Sequence, residues 1–136
     1  MTSKILCATD GEAQSDIPVT FAAEMAAKLG ASLSVIAVNI LIVAPRAGSY
    51  YLWPEERVQE VVQHAAQLAG KAGMPGAEIV KATGRDPAAV IVDFAEKNGF
   101  DHVVVGAPRV GVARLVLGSV AAEVAAKAHC AVTIAR

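Results

Sequence analysis

Five short apolar runs alternate along the chain with four segments of helical periodicity, and this alternation constrains the fold more than any other feature. Lys4–Ala8, Leu33–Val38, Glu78–Thr83, His102–Val105 and Ala131–Ala135 read as strands. Between them lie helices. The first runs from a cap at Ser15 or Asp16 to Leu29, with Pro18 in its first turn and Gly30 at its end. Ile17, Phe21, Met25 and Leu29 recur every fourth residue and are expected to form its inward face. The second opens at Pro54 and closes at Gly73, with Val58, Val61, Val62, Ala65, Leu68, Ala69 and Ala72 as its apolar set. Asp86-Pro87 starts the third, Asp as cap and Pro at the first helical position, with Val90, Ile91, Phe94 and Ala95 as the stripe. The fourth spans about Val120 to Ala128. Strands alternating with helices predict an α/β fold: an open five-stranded parallel sheet with helices on both faces and right-handed crossovers. Asn39 to Trp53 reads as a long connection. It holds Tyr50, Tyr51 and Trp53, half of the six aromatic residues, and reads either as a mobile cover or protein-docking segment or as rings that simply cover a core edge.

The 136 residues suit one domain, residues 1–136, with no internal repeat or linker. Hydrophobic residues at 54% and charged residues at 18% exclude a disordered chain. The richest apolar stretch, Val35–Ala44, is broken by Asn39 and ended by Pro45, too short to cross a bilayer. No signal peptide precedes the first strand, so the cytoplasm is the expected compartment. A net charge of −1 from 12 basic and 13 acidic side chains, without basic clusters, argues against a nucleic-acid partner. Cys7 and Cys130 sit in apolar runs, form no CxxC pair and read as small buried hydrophobes.

In an open α/β sheet, ligands sit beyond the carboxyl ends of the strands where strand order reverses. Asp10-Gly11 after the first strand, Val38-Asn39 at the end of the second and the loop from Gly106 to Val120 should meet there. Gly118 admits a close approach, the N–H groups that follow head a helix, Ser119 adds a hydroxyl, and Arg109 and Arg114 add charge. These features describe a phosphate cradle; equally, the glycines permit turns and Ser119 caps the helix. Asp10 reads either as a ligand-binding carboxylate or as a cap on its own turn.

Taken in order, Lys4-Ile5-Leu6 leading to Thr9-Asp10-Gly11, Gly84-Arg85-Asp86-Pro87, Asp101-His102-Val103-Val104-Val105-Gly106 and Leu115-Val116-Leu117-Gly118-Ser119-Val120 resemble the universal stress proteins over essentially the whole chain. That resemblance implies adenine-nucleotide alpha-hydrolase-like, flavodoxin-like layering and a homodimer, here through strand 131–135. It also implies ATP or another adenine nucleotide as ligand in some members. Asp10 and Val38 would then flank the adenosine, Val105 and Gly106 would line the ribose and phosphates, and Gly118, Ser119 and Val120 would hold the phosphates. The nucleotide-binding members carry a glycine, two residues, a second glycine, nine residues, then Gly-Ser or Gly-Thr. Here Arg109 stands at the second glycine's place, Gly111 matches a later position, and Gly106 to Gly118 is one position short. Arg109 is expected to compensate by donating to phosphate.

Little in the sequence points to catalysis. It lacks a GxSxG elbow and the GK[ST] of a P-loop, and His64, His102 and His129 are dispersed, read as surface or capping residues. The expected function is a stress-response regulator that binds a nucleotide, with at most slow hydrolysis. The alternative is a dimeric interaction module without a nucleotide. No metal site is expected.

Overall fold

The computed structural model describes residues 2–107 and 119–136. Its elements in chain order are β1 (Lys4–Thr9), α1 (Asp16–Leu29), β2 (Ser32–Ala44), β3 (Gly48–Tyr51), α2 (Glu55–Lys71), β4 (Glu78–Gly84), α3 (Pro87–Lys97), β5 (His102–Gly106), α4 (Ser119–Lys127) and β6 (Ala131–Ala135). Five strands are parallel in the spatial order β4-β2-β1-β5-β6. The first crossovers carry the chain outward from β1 to β4, and the later ones place β5 and β6 on its other side. Strand order therefore reverses between β1 and β5, the place where such sheets bind ligands.

The sheet is buried on both faces, which is why its central strands are continuously apolar. Ile5, Cys7, Leu33, Val35 and Val104 point to α1 and α2. Leu6, Ile36, Val38, Val103 and Val105 point to α3 and α4. The third helix begins as its sequence predicts: Asp86 Oδ1 accepts from the Ala88 and Ala89 amides at 3.1 and 3.4 Å, with Pro87 in the first turn. Cys7 is fully buried, and burial pushes its thiol well above the usual range; Cys130 is only half-buried.

Two expectations are corrected. The stripe Ile17, Phe21, Met25, Leu29 is not the inward face of α1: Ile17, Phe21 and Leu29 are 48%, 42% and 55% exposed, and only Met25 packs partly against the core. Pro18, Val19, Ala22, Ala23 and Ala26 face the sheet instead. The small side chains among them let the helix axis come close to the sheet. Second, Asn39–Trp53 is not an irregular connection. β2 runs on for 13 residues, past the end of β1, and its distal part pairs antiparallel with β3, Leu41 opposite Tyr51 and Ala44 opposite Gly48. The sheet thus has a sixth strand, in a hairpin projecting from the carboxyl end of β2.

Candidate functional site

A cavity of about 310 Å³ opens at the reversal point, within the size range of small-molecule sites. Its floor is Ala8 and Thr9 at the end of β1, Val38 and Ile40 at the end of the parallel-paired part of β2, and Val105 and Gly106 at the end of β5. Pro87 and Ile91 of α3 and Val120 and Ala121 of α4 close one side, and Leu52 and Trp53 close another at the base of the hairpin. The polar groups come mainly from the turn after β1, namely Thr9, Asp10, Gln14 and Ser15.

Asp10 organises that turn. Its Oδ1 accepts from the Glu12 amide at 2.9 Å and from the buried Ser15 hydroxyl, while its own N–H donates to Ser15 Oγ at 3.1 Å. Of the two roles the sequence left open, the turn cap is realised, with the exposed carboxylate at the cavity rim. Gly11 follows at φ +79°, where a Cβ would stand 2.8 Å from Val61 Cγ2 and 3.3 Å from Trp53 Cζ2. Arg57 Nη2 donates to the Gly11 carbonyl at 2.6 Å, and this ties α2 to the turn.

Of the residues proposed from sequence, Asp10, Val38, Val105, Gly106 and Val120 line one cavity. Arg109, Gly111 and Gly118 lie outside the described residues, as do Arg114 and the side chain of Ser119, whose backbone opens α4. Among the described lining residues there is no cation, so this part of the cavity suits an uncharged ring and sugar better than phosphate. The sequence reading missed Ile40, Leu52, Trp53, Pro87 and Ile91 as wall residues. Asp86-Pro87 was visible as a helix start, and that start fixes Pro87 and Ile91 here. Trp53 depends on hairpin geometry, for which the local sequence carries no turn signal of the Asn-Gly kind.

The histidines do not converge: His64 Nε2 meets Asp16 at 2.9 Å, His129 Nε2 meets Glu96 at 3.5 Å, and half-buried His102 pairs through Nε2 with Thr133 Oγ1 at 2.7 Å. Among the described residues no group of three or more His, Cys, Asp or Glu side chains is placed to hold a metal, and no helix is long and apolar enough to cross a membrane.

The sequence pattern of the universal stress protein family matches residues 1–136, the whole chain. The chain belongs to that family. A universal stress protein of Methanocaldococcus jannaschii is 32% identical over 98% of this chain and 81% of its own length. Among solved structures, a universal stress protein in complex with cAMP is similar with a TM-score of 0.78 and 26% identity, covering 99% of this chain and 97% of the other. The universal stress protein of Archaeoglobus fulgidus has a TM-score of 0.71 and 25% identity, covering 100% and 95%. The parallel sheet flanked by helices is the architecture of this family, and the cavity lies at the strand-order reversal of that sheet.

Proposed function

We propose that this universal stress protein binds an adenine nucleotide in the cavity at the ends of β1, β2 and β5, and acts in a stress response through that bound state rather than through turnover. The observation that carries the reading is the cavity itself: a largely apolar slot at the sheet's reversal point, rimmed by Asp10, in a chain similar over its length to a universal stress protein solved with cAMP. Val38, Ile40, Val105 and Ile91 offer aliphatic contact to a base, and Asp10 offers acceptor capacity at the rim. The phosphates would go toward the α4 N-terminus, where backbone N–H groups favour anions, with Arg109, Gly111, Gly118 and Ser119 as proposed contributors. ATP, ADP, AMP and cAMP are the candidates. Calorimetry of ligand-free, folded protein tests the proposal. Saturable heat with at least one of the four supports it, and no heat with any of them at about millimolar ligand, a level that detects even weak sites, overturns it.

A second reading has its own observation. The β2–β3 hairpin exposes Val43, Tyr50, Tyr51 and Leu52 at the cavity's edge, so it is proposed as a protein-docking element, with or without a nucleotide. A homodimer through β6 is likewise proposed. Among the described residues β6 pairs on one side only, with β5, and its other edge is proposed to accept a second copy.

A further inference from the structure

We infer that Trp53 is the specificity-determining wall of the cavity, stacking on a flat heteroaromatic base, and that Asn39 is the positioning residue that holds it there. The inference rests on the nucleotide reading above and deepens it by naming the side chain that reads the base.

Asn39 is a buried polar residue of β2, between Val38 and Ile40, which line the cavity. Both ends of its amide are spent on one target: Trp53 N–H donates to Asn39 Oδ1 at 2.8 Å, and Asn39 Nδ2 donates to the Trp53 carbonyl at 3.0 Å. Only an amide side chain offers a donor and an acceptor in this fork. The next rung out is backbone, Leu52 N–H to the Ile40 carbonyl at 2.8 Å. β2 runs on past Asn39 into the hairpin, and the returning chain is pinned to Asn39.

The pin does more than close a hairpin. It sets Trp53 on the cavity wall, with its ring against the Asp10-Gly11 turn, where the absence of a Cβ at Gly11 leaves room for Cζ2. The rest of the wall near the sheet is aliphatic, Val38, Ile40 and Ile91, and the described lining carries no cation. An indole held beside a largely apolar slot whose described lining carries no cation favours a planar ring over a phosphate. A tryptophan that merely sealed the hairpin would need neither the cavity frontage nor a rigid backbone fork.

Trp53 is the chain's single tryptophan, so its emission reports on this wall alone. The test is titration of the full chain with AMP, followed by calorimetry and by Trp53 fluorescence. In the wild type, emission should quench with the same midpoint as the heat. Trp53→Leu should weaken AMP binding roughly tenfold or more, the scale of a lost base–aromatic stack. Trp53→Phe keeps a ring and should stay within about threefold of wild type, a small fraction of a tenfold loss. Asn39→Leu should weaken AMP binding and shift the emission of the ligand-free protein to the red, because the unpinned indole meets water. Heat without any change in Trp53 emission, Trp53→Leu binding AMP as tightly as wild type, or Trp53→Phe falling as far as Trp53→Leu would each overturn the inference while leaving the nucleotide reading intact. Absence of heat with every adenine nucleotide in the wild type removes that reading, and the inference with it.

Discussion

Gly11 is held at a backbone angle that side chains rarely adopt, and any Cβ there meets Val61 at 2.8 Å. Both effects act in the same direction, so Gly11→Ala should lower stability by about 1–3 kcal/mol, read from the urea midpoint. The same turn depends on the buried Ser15 hydroxyl, which both accepts from and donates to Asp10. A second residue-scale expectation concerns acid. Burial pushes the Asp101 carboxyl up, but hydrogen bonds from the Lys4 amide at 3.1 Å and from Ser3, amide at 2.9 Å and hydroxyl at 2.8 Å, more than offset it and leave its pKa below the ordinary 3.8. A carboxyl depressed in the folded state contributes stability above its unfolded pKa, and that contribution is lost as pH falls through the folded value. Asp101→Asn should therefore flatten the acid limb of the stability curve below about pH 4, the ordinary aspartate range, and leave its slope near neutrality unchanged. An unchanged acid limb would contradict this. At this scale the sequence was legible where one residue has one local role. The Asp86 cap could be read from Asp-Pro alone, whereas Asp10 could not be assigned, because its partner Ser15 lies in a turn whose shape the sequence does not state.

At the scale of elements, hydropathy and size compete, and α1 shows the outcome where a helix packs on the sheet. Ala22, Ala23 and Ala26 face inward with Pro18 and Val19, while Ile17, Phe21 and Leu29 face out. Ala22→Leu or Ala26→Leu should cost about 1–3 kcal/mol by overpacking a fully buried contact. Phe21→Ser should change stability by no more than roughly 0.5 kcal/mol, as an exposed substitution does. Thermal melts of the three variants check the order, and a larger loss for Phe21→Ser than for Ala26→Leu would reverse the assignment of faces. The hairpin was illegible for a different reason. Asn39 to Trp53 reads as one long connection, since a strand that outruns its parallel neighbours has no periodic signal of its own. Its pairing is set by Asn39 reaching Trp53 across 14 positions.

For the molecule as a whole, the alternation of apolar runs and helices carried nearly all of the fold, because each strand buried on two faces must be apolar throughout and each crossover must be helical. The site was legible in its strand-borne half. Asp10, Val105 and Gly106 fall at strand ends, which such a pattern locates best, and Val38 falls near the end of the parallel part of β2. Its hairpin-borne half was not, since Leu52 and Trp53 reach the cavity only through tertiary geometry. The proposed dimer also belongs to this scale. Light scattering at micromolar protein should return twice the chain mass, and Ala131→Lys, which places a charge at the exposed start of β6, should shift the population toward monomer. A single-chain mass for the wild type would count against the edge pairing.

The central claim is that an adenine nucleotide occupies the cavity at the sheet's reversal point, and the most direct test is to watch backbone amides during a titration with AMP. The account predicts that the largest shifts fall on Thr9, Asp10, Ile40, Trp53, Val105 and Gly106, residues far apart in sequence that share this one cavity. Amides at the opposite end of the sheet, such as those of Ser34 and Asn98, should stay in place. Shifts confined to that opposite end, or none at saturating AMP, would contradict it.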